Sequence, residues 1–187
     1  MTWLAPAAFL TFCRGIPLAD LDGFFTEACL PATASGTSDG WAWLAHRADT
    51  TPDGGAVQQL GQYITGFRYT DRVTDQQNVD MVFLASTPAC PCGHRYAVPH
   101  CAEHPCQFAY SRGGFAVSLF NLGRRRESRR FGSQADLFIR QFLAQGLVGR
   151  TTRYDSEPDF NPDGTHTVRI IADHFGLPSP PLRAGRA

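Results

Sequence analysis

Residues 90–106, CPCGHRYAVPHCAEHPC, put four cysteines and three histidines into seventeen positions. DMVFLAS (80–86) precedes the stretch and CQFAYSRGGFAVSLFNL follows from residue 106, both rich in the aromatic and β-branched residues of strands. Any fold for this chain must therefore close a long loop between two strands, and ordering such a loop costs entropy that its own residues have to offset. A disulfide knot requires an oxidising compartment and leaves the histidines unexplained. A catalytic thiol needs one cysteine with a base and an orienting group, and four close thiols exceed that need. Zinc accounts for the composition directly, because thiolate and imidazole are its preferred ligands and four of them close a tetrahedral structural site.

The expected ligands are Cys90, Cys92, Cys101 and Cys106, with His104, and after it His94 or His100, as alternates for one of them. Cys90-x-Cys92 followed by Gly93 makes a tight turn with two thiolates, and glycine permits the positive φ such a knuckle requires. A catalytic zinc keeps one position open and works beside a carboxylate; Glu103 is the only acidic residue in the stretch. The His-x-Glu and Pro-Cys-x-x-Cys order of zinc deaminases is not met, since Pro91-Cys92 and Pro105-Cys106 lack the paired spacing. A structural zinc pinning the loop is the favoured reading, and a zinc hydrolase or deaminase ranks third among the functional ones.

At 187 residues the chain suits one domain, and 43% hydrophobic with 12% aromatic residues is a globular composition. The formal charge is zero, so no global field attracts nucleic acid or an anionic membrane. No apolar run reaches the roughly 20 residues of a membrane span. The start, MTWLAPAAFLTFCRG, has no basic n-region, which makes the cytoplasm the expected compartment. All 17 basic residues are arginine. A GC-rich genome explains the missing lysine more simply than escape from lysine-directed modification.

The spacing predicts two short helices in the first 30 residues, PAAFLTFCR and a second opened by Pro17, with Cys13 and Cys29 as core thiols on their apolar faces. Residues 31–40 read as a loop. WAWLA (41–45), QYITGFRY (62–69) and DMVFLAS read as strands, and 106–122 as a hairpin around Ser111-Arg112-Gly113-Gly114. GSQADLFIRQFLAQGLVG (132–149) reads as the best helix, capped by Ser133 with Asp136 in capping-box position. HTVRIIADHFG (166–176) reads as a shorter helix stopped by Gly176. The expected architecture is one α+β domain over 1–176: a mostly antiparallel sheet of about five strands, helices on one face, a zinc-stabilised insertion at 87–106 and a mobile tail at 177–187.

Two other segments carry chemistry. Arg124, Arg125, Arg126, Arg129 and Arg130 crowd GRRRESRRFG, a phosphate-binding pattern, although for a chain of zero net charge a solvated loop partly neutralised by Glu127 is the simpler reading. Asp159-x-Asn161-x-Asp163-Gly164 opens like a calcium loop, but its twelfth position is Ile170 where a carboxylate is needed, so an Asx-rich turn entering a helix is the simpler reading. His46, His166 and His174 have no evident partner in the sequence.

Two resemblances accompany these residues. Cys90-x-Cys92 with Cys101-x-x-His104-x-Cys106 resembles the zinc-binding SWIM motif, which ends Cys-x-His; here the histidine falls one residue late. LTFCRG (Leu10 to Gly15), Gly40-Trp41, a Leu-x-x-Gly turn, and Phe108-x-Tyr110 followed by Gly-Gly-Phe resemble a family of small uncharacterised actinobacterial proteins. That resemblance implies an α+β fold without known catalytic residues and roles in conflict or immunity; the zinc insertion is not part of its pattern. The combined expectation is a non-enzymatic zinc protein that binds another protein, with a nucleic-acid-binding module using the 124–130 arginines as the alternative.

Overall fold

The computed structural model describes residues 8–47, 54–66, 79–86, 106–122, 130–157, 160–161 and 164–181. Along the chain come β1 (Ala8–Arg14), α1 (Leu18–Glu27), β2 (Ala32–Ser38), β3 (Trp41–Arg47), α2 (Gly54–Gly66), β4 (Asp80–Ser86), β5 (Cys106–Arg112) and β6 (Phe115–Asn121). Three helices follow: α3 (Ile139–Ala144), α4 (Arg153–Ser156) and α5 (Thr165–Phe175). The strands form a six-stranded sheet in the order β2-β3-β1-β4-β5-β6, every neighbouring pair antiparallel. The α+β expectation holds, with one strand more than expected.

Helices cover both faces of this sheet, not one. On the first face Phe9, Cys13, Leu44, Met81 and Phe83 pack against Leu21 and Phe25 of α1 and Ile64 of α2. On the second, Leu10, Phe12, Trp41, Trp43, Val82, Leu84, Phe108 and Phe120 meet Phe138, Phe142, Val168 and Ile171 from the C-terminal helices. Central strands sandwiched in this way are apolar at consecutive positions, as in β1 (AFLTFCR) and β4 (DMVFLAS).

That double burial overturns the first predicted helix. Phe9, Phe12 and Cys13 are spaced as on a helix, yet β1 is a strand with Phe9 and Cys13 on the first face and Phe12 on the second. QYITGFRY fails as a strand in the opposite sense: its first residues complete α2, which ends at Gly66. Two glycines let α2 lie close to the sheet. A Cβ on Gly66 would come 2.6 Å from the Gly114 Cα in the β5–β6 turn, and one on Gly61 would come 2.7 Å from the Ser111 hydroxyl. The Thr65 hydroxyl fixes the crossing by accepting the Gly114 N–H at 3.0 Å.

The loop expected at 31–40 is the edge strand β2. Its residues are largely exposed, so it carries no apolar face to read, and Trp43 from β3 covers Gly36. The long helix expected at 132–149 shrinks to Ile139–Ala144. Ser133 and Gln134 donate their N–H groups to the Ala116 and Val117 carbonyls of β6, and Asp136 pairs with Arg130, so neither Ser133 nor Asp136 caps a helix. The apolar stripe survives, with Phe138 and Phe142 buried and Leu143 exposed. Helix α5 holds at Thr165–Phe175 and the β5–β6 hairpin as expected. The expected tail begins packed, for Leu177, Pro178 and Pro180 are buried.

Candidate functional site

The Cys/His stretch leaves and re-enters the sheet at one point. Ser86, the last residue of β4, is the ladder partner of Cys106, the first of β5. Residues facing each other in an antiparallel ladder have Cα atoms about 5 Å apart, so the segment 87–105 closes on adjacent strand ends. Cys106 is thereby fixed on the sheet margin. Cys90, Cys92, Cys101, His94, His100 and His104 lie outside the described residues. Among the described residues no group of three or more His, Cys, Asp or Glu side chains is arranged to hold a metal ion.

The strand end that leads into the arginine run is at the same end. Asn121, the last residue of β6, pairs with Gln107, one position beyond Cys106. The chain returns at Phe131, which exchanges two backbone hydrogen bonds with Leu119 at 2.9 Å each. The strand end that precedes residues 123–129 therefore lies at the same sheet margin as the two strand ends that flank the cysteine insertion. Arg124, Arg125, Arg126 and Arg129 lie outside the described residues; Arg130 donates from Nε to Asp136 at 2.8 Å.

The opposite end of the sheet carries a cluster that sequence reasoning missed. Asp80 is buried, and its Oδ2 accepts from Arg14 Nη2 at 2.6 Å and Nε at 3.2 Å. Its Oδ1 accepts the Tyr110 hydroxyl at 2.7 Å, with Arg112 Nε 3.5 Å away. Arg14 and Asp80 are ladder partners across β1 and β4, and Asp80 and Arg112 across β4 and β5. The Arg14 guanidinium also stands over the Trp41 ring, 4.7 Å from its centroid. Burial, reinforced by the Asp80 carboxylate, pushes the Tyr110 phenol up to about 12. The legible signal was a charge closing each of three apolar strands at the same end, in TFCR, DMVF and YSRGG.

The remaining candidates are structural. His46 is buried between Phe9 and Phe25, ring centroids 4.5 and 4.8 Å away. Its Nδ1 donates to the Leu30 carbonyl at 3.0 Å, which leaves Nε2 to accept from the Thr11 hydroxyl at 3.2 Å. Desolvation holds this imidazole at about 4, against the smaller opposing effect of its backbone partners. Asn161 is buried; its amide donates to the Tyr154 and Thr167 hydroxyls while Oδ1 accepts the His166 N–H at 2.8 Å. That carbonyl is committed to the start of α5, which favours the Asx-turn reading over calcium; Asp159 and Asp163 lie outside the described residues. The His166 ring lies against Phe160, and the His174 ring edge-on to Phe138, where desolvation lowers its pKa. Cys13 is a core thiol, raised by burial and then by Asp80. Cys29 is not: it is exposed, with φ of 61°, just past the end of α1. No helix among the described residues is long and apolar enough to cross a membrane.

No family model, no curated protein and no solved structure matches the chain.

Proposed function

We propose that the chain is a non-enzymatic zinc-containing interaction protein that binds another protein, its Zn2+ held by Cys90, Cys92, Cys101 and Cys106, with His104, His94 or His100 as alternates for one ligand. The observation that carries this reading is the Ser86–Cys106 ladder pair, which closes the thiol-rich segment on two adjacent strand ends. A closed loop of this length is entropically costly to order, and a four-ligand ion inside it supplies the cross-link that offsets that cost. Cysteines that must stay reduced to bind zinc fit a reducing compartment, the cytoplasm. The resemblance to small actinobacterial proteins adds a role in conflict or immunity systems. The test is chelation: zinc removal and Cys92→Ala should lower the melting temperature by similar amounts, while Glu103→Ala leaves it unchanged. A Glu103→Ala protein that keeps its melting temperature but loses a hydrolytic or deaminating activity would favour the catalytic-zinc reading instead.

A second reading is favoured by one placement. The strand ends that flank the cysteine insertion and the one that precedes residues 123–129 lie at one end of the sheet, and this reading uses Arg124, Arg125, Arg126, Arg129 and Arg130 together with the zinc loop. A nucleic-acid-binding module would use that margin, and its affinity for single- or double-stranded probes would fall steeply with salt. Absence of binding at low salt removes it.

A further inference from the structure

The two outer edges of the sheet end differently. At β6 the chain closes its own edge: Phe131 exchanges backbone hydrogen bonds with Leu119, and the Ser133 and Gln134 N–H groups reach the Ala116 and Val117 carbonyls. At β2 no described segment pairs with the side of the strand that faces away from β3. The turn between β2 and β3 fixes which peptide groups face outward. Asp39 and Gly40 both have positive φ, 53° and 78°, the pattern of a two-residue type I′ hairpin in which the flanking Ser38 and Trp41 bond to each other. Bonding alternates from there along the ladder. Ser38 and Gly36 are therefore directed at β3, while the N–H and C=O groups of Ser35 and Thr37 point away from the sheet. Both residues are exposed. Strand β2 (ATASGTS) carries neither a charge nor a proline, the usual devices that blunt an edge, and its bulge at Ala32/Ala34 lies before this stretch.

We propose that β2 pairs antiparallel with β2 of a second copy of this chain, about a twofold axis at Gly36. Ser35 of each copy then faces Thr37 of the other, and the two exchange N–H···O=C bonds. The strand's own chemistry selects this occupant. It is neutral, so a copy of itself sets no like charges opposite one another, and facing Ser and Thr hydroxyls are a favourable cross-strand pair. Gly36 falls on the axis at a non-hydrogen-bonded position, where facing residues approach most closely, and it has no side chain to clash. A foreign strand would draw its specificity from pockets for alternate side chains, and Ala, Ser, Gly and Thr are too small to wall them. Closure of the β6 edge blocks head-to-tail addition of β2 to β6, so self-association stops at a closed pair and does not run on into a filament.

This inference goes beyond the proposed function and depends on neither the metal nor a protein partner of another kind. Its test is sedimentation equilibrium of the full chain over a range of concentrations, with amide hydrogen exchange followed on the same samples. Reductant is present throughout, which removes dimers linked through the exposed Cys29 thiol. The mass should rise from the 20.5 kDa of one chain to twice that, and the Ser35 and Thr37 amides should exchange more slowly as it does. Ser35→Lys combined with Thr37→Lys, both at exposed positions, sets like charges opposite across the axis and should weaken the dimer about tenfold. Mixing that chain with one carrying Ser35→Asp and Thr37→Asp should restore association, which separates a lost interface from a lost fold. A single-chain mass at every concentration overturns the self-pairing and returns the edge to a strand of another protein. A dimer that is indifferent to these substitutions, or whose Ser35 and Thr37 amides exchange as fast as in the monomer, is joined elsewhere and equally overturns it.

Discussion

The Tyr110 hydroxyl donates a 2.7 Å hydrogen bond to the buried Asp80 carboxylate, linking β5 to β4 from inside the second core layer. A hydrogen bond to an ionised group is worth about 2 kcal/mol, so Tyr110→Phe should lower unfolding free energy by roughly that amount. Asp80→Ala leaves Arg14 and Arg112 without their shared partner and should cost more, about 3 kcal/mol or above. Urea unfolding of the two variants checks the order. In an alkaline spectrophotometric titration, Tyr110 should be among the last tyrosines to ionise, at about 12.

His46 makes stability depend on acid. Its folded pKa, about 4, lies below the ordinary value of 6.5, so the unfolded chain takes up this proton first as pH falls. The stabilisation from keeping His46 neutral is full above pH 6.5 and is lost as pH drops toward 4. The loss across that window is ~3 kcal/mol. His46→Gln, whose amide can still donate to Leu30, should flatten that part of the profile; identical slopes in the two proteins would contradict the assignment.

Two glycines should respond in opposite directions. A Cβ on Gly23, inside α1, meets nothing within 4 Å, so Gly23→Ala gains helix propensity and should stabilise by about 0.5–1 kcal/mol. On Gly66 the added carbon meets backbone of the Gly114 turn, and that neighbour cannot swing away. Gly66→Ala should destabilise by about 1–3 kcal/mol. Thermal unfolding of the pair is the check.

Cys29 occupies the left-handed position that ends α1. The Leu30 N–H reaches the Phe25 carbonyl at 2.8 Å and the Cys29 N–H reaches Thr26 at 3.0 Å, the two bonds of a Schellman motif. Glycine is the residue this conformation favours, so Cys29→Gly should stabilise by about 1 kcal/mol. It should also abolish the reaction of the native protein's exposed thiol at this position.

The sequence revealed elements whose two faces differ or whose turns are explicit. WAWLA, DMVFLAS, the Gly113-Gly114 hairpin and α5 with its Gly176 stop all lie where their patterns place them. It misled where one pattern satisfies two structures. Phe9, Phe12 and Cys13 suit a helical stripe, and equally a strand buried on both sides, because only the second helical layer decides between them. Tyr63 and Thr65 alternate like a strand, but the segment is the end of α2, where Gly61 and Gly66 let the helix approach Ser111 and Gly114. Strand β2 was hidden because an exposed edge needs no apolar face. The Arg14–Asp80–Arg112 cluster was hidden because its members are 66 and 32 residues apart along the chain and meet only through strand register. The proposed zinc ligands rest on residue type and spacing alone; what the fold adds is that Ser86 and Cys106 meet.

The most direct test of the central proposal is elemental analysis of protein purified without added metal, with rapidly reacting thiols counted on the same native sample. One zinc per chain is expected, with Cys29 the single fast thiol, since Cys13 is buried and the other four would be ligands. No zinc, with the cysteines of 90–106 reacting freely alongside Cys29, would contradict it.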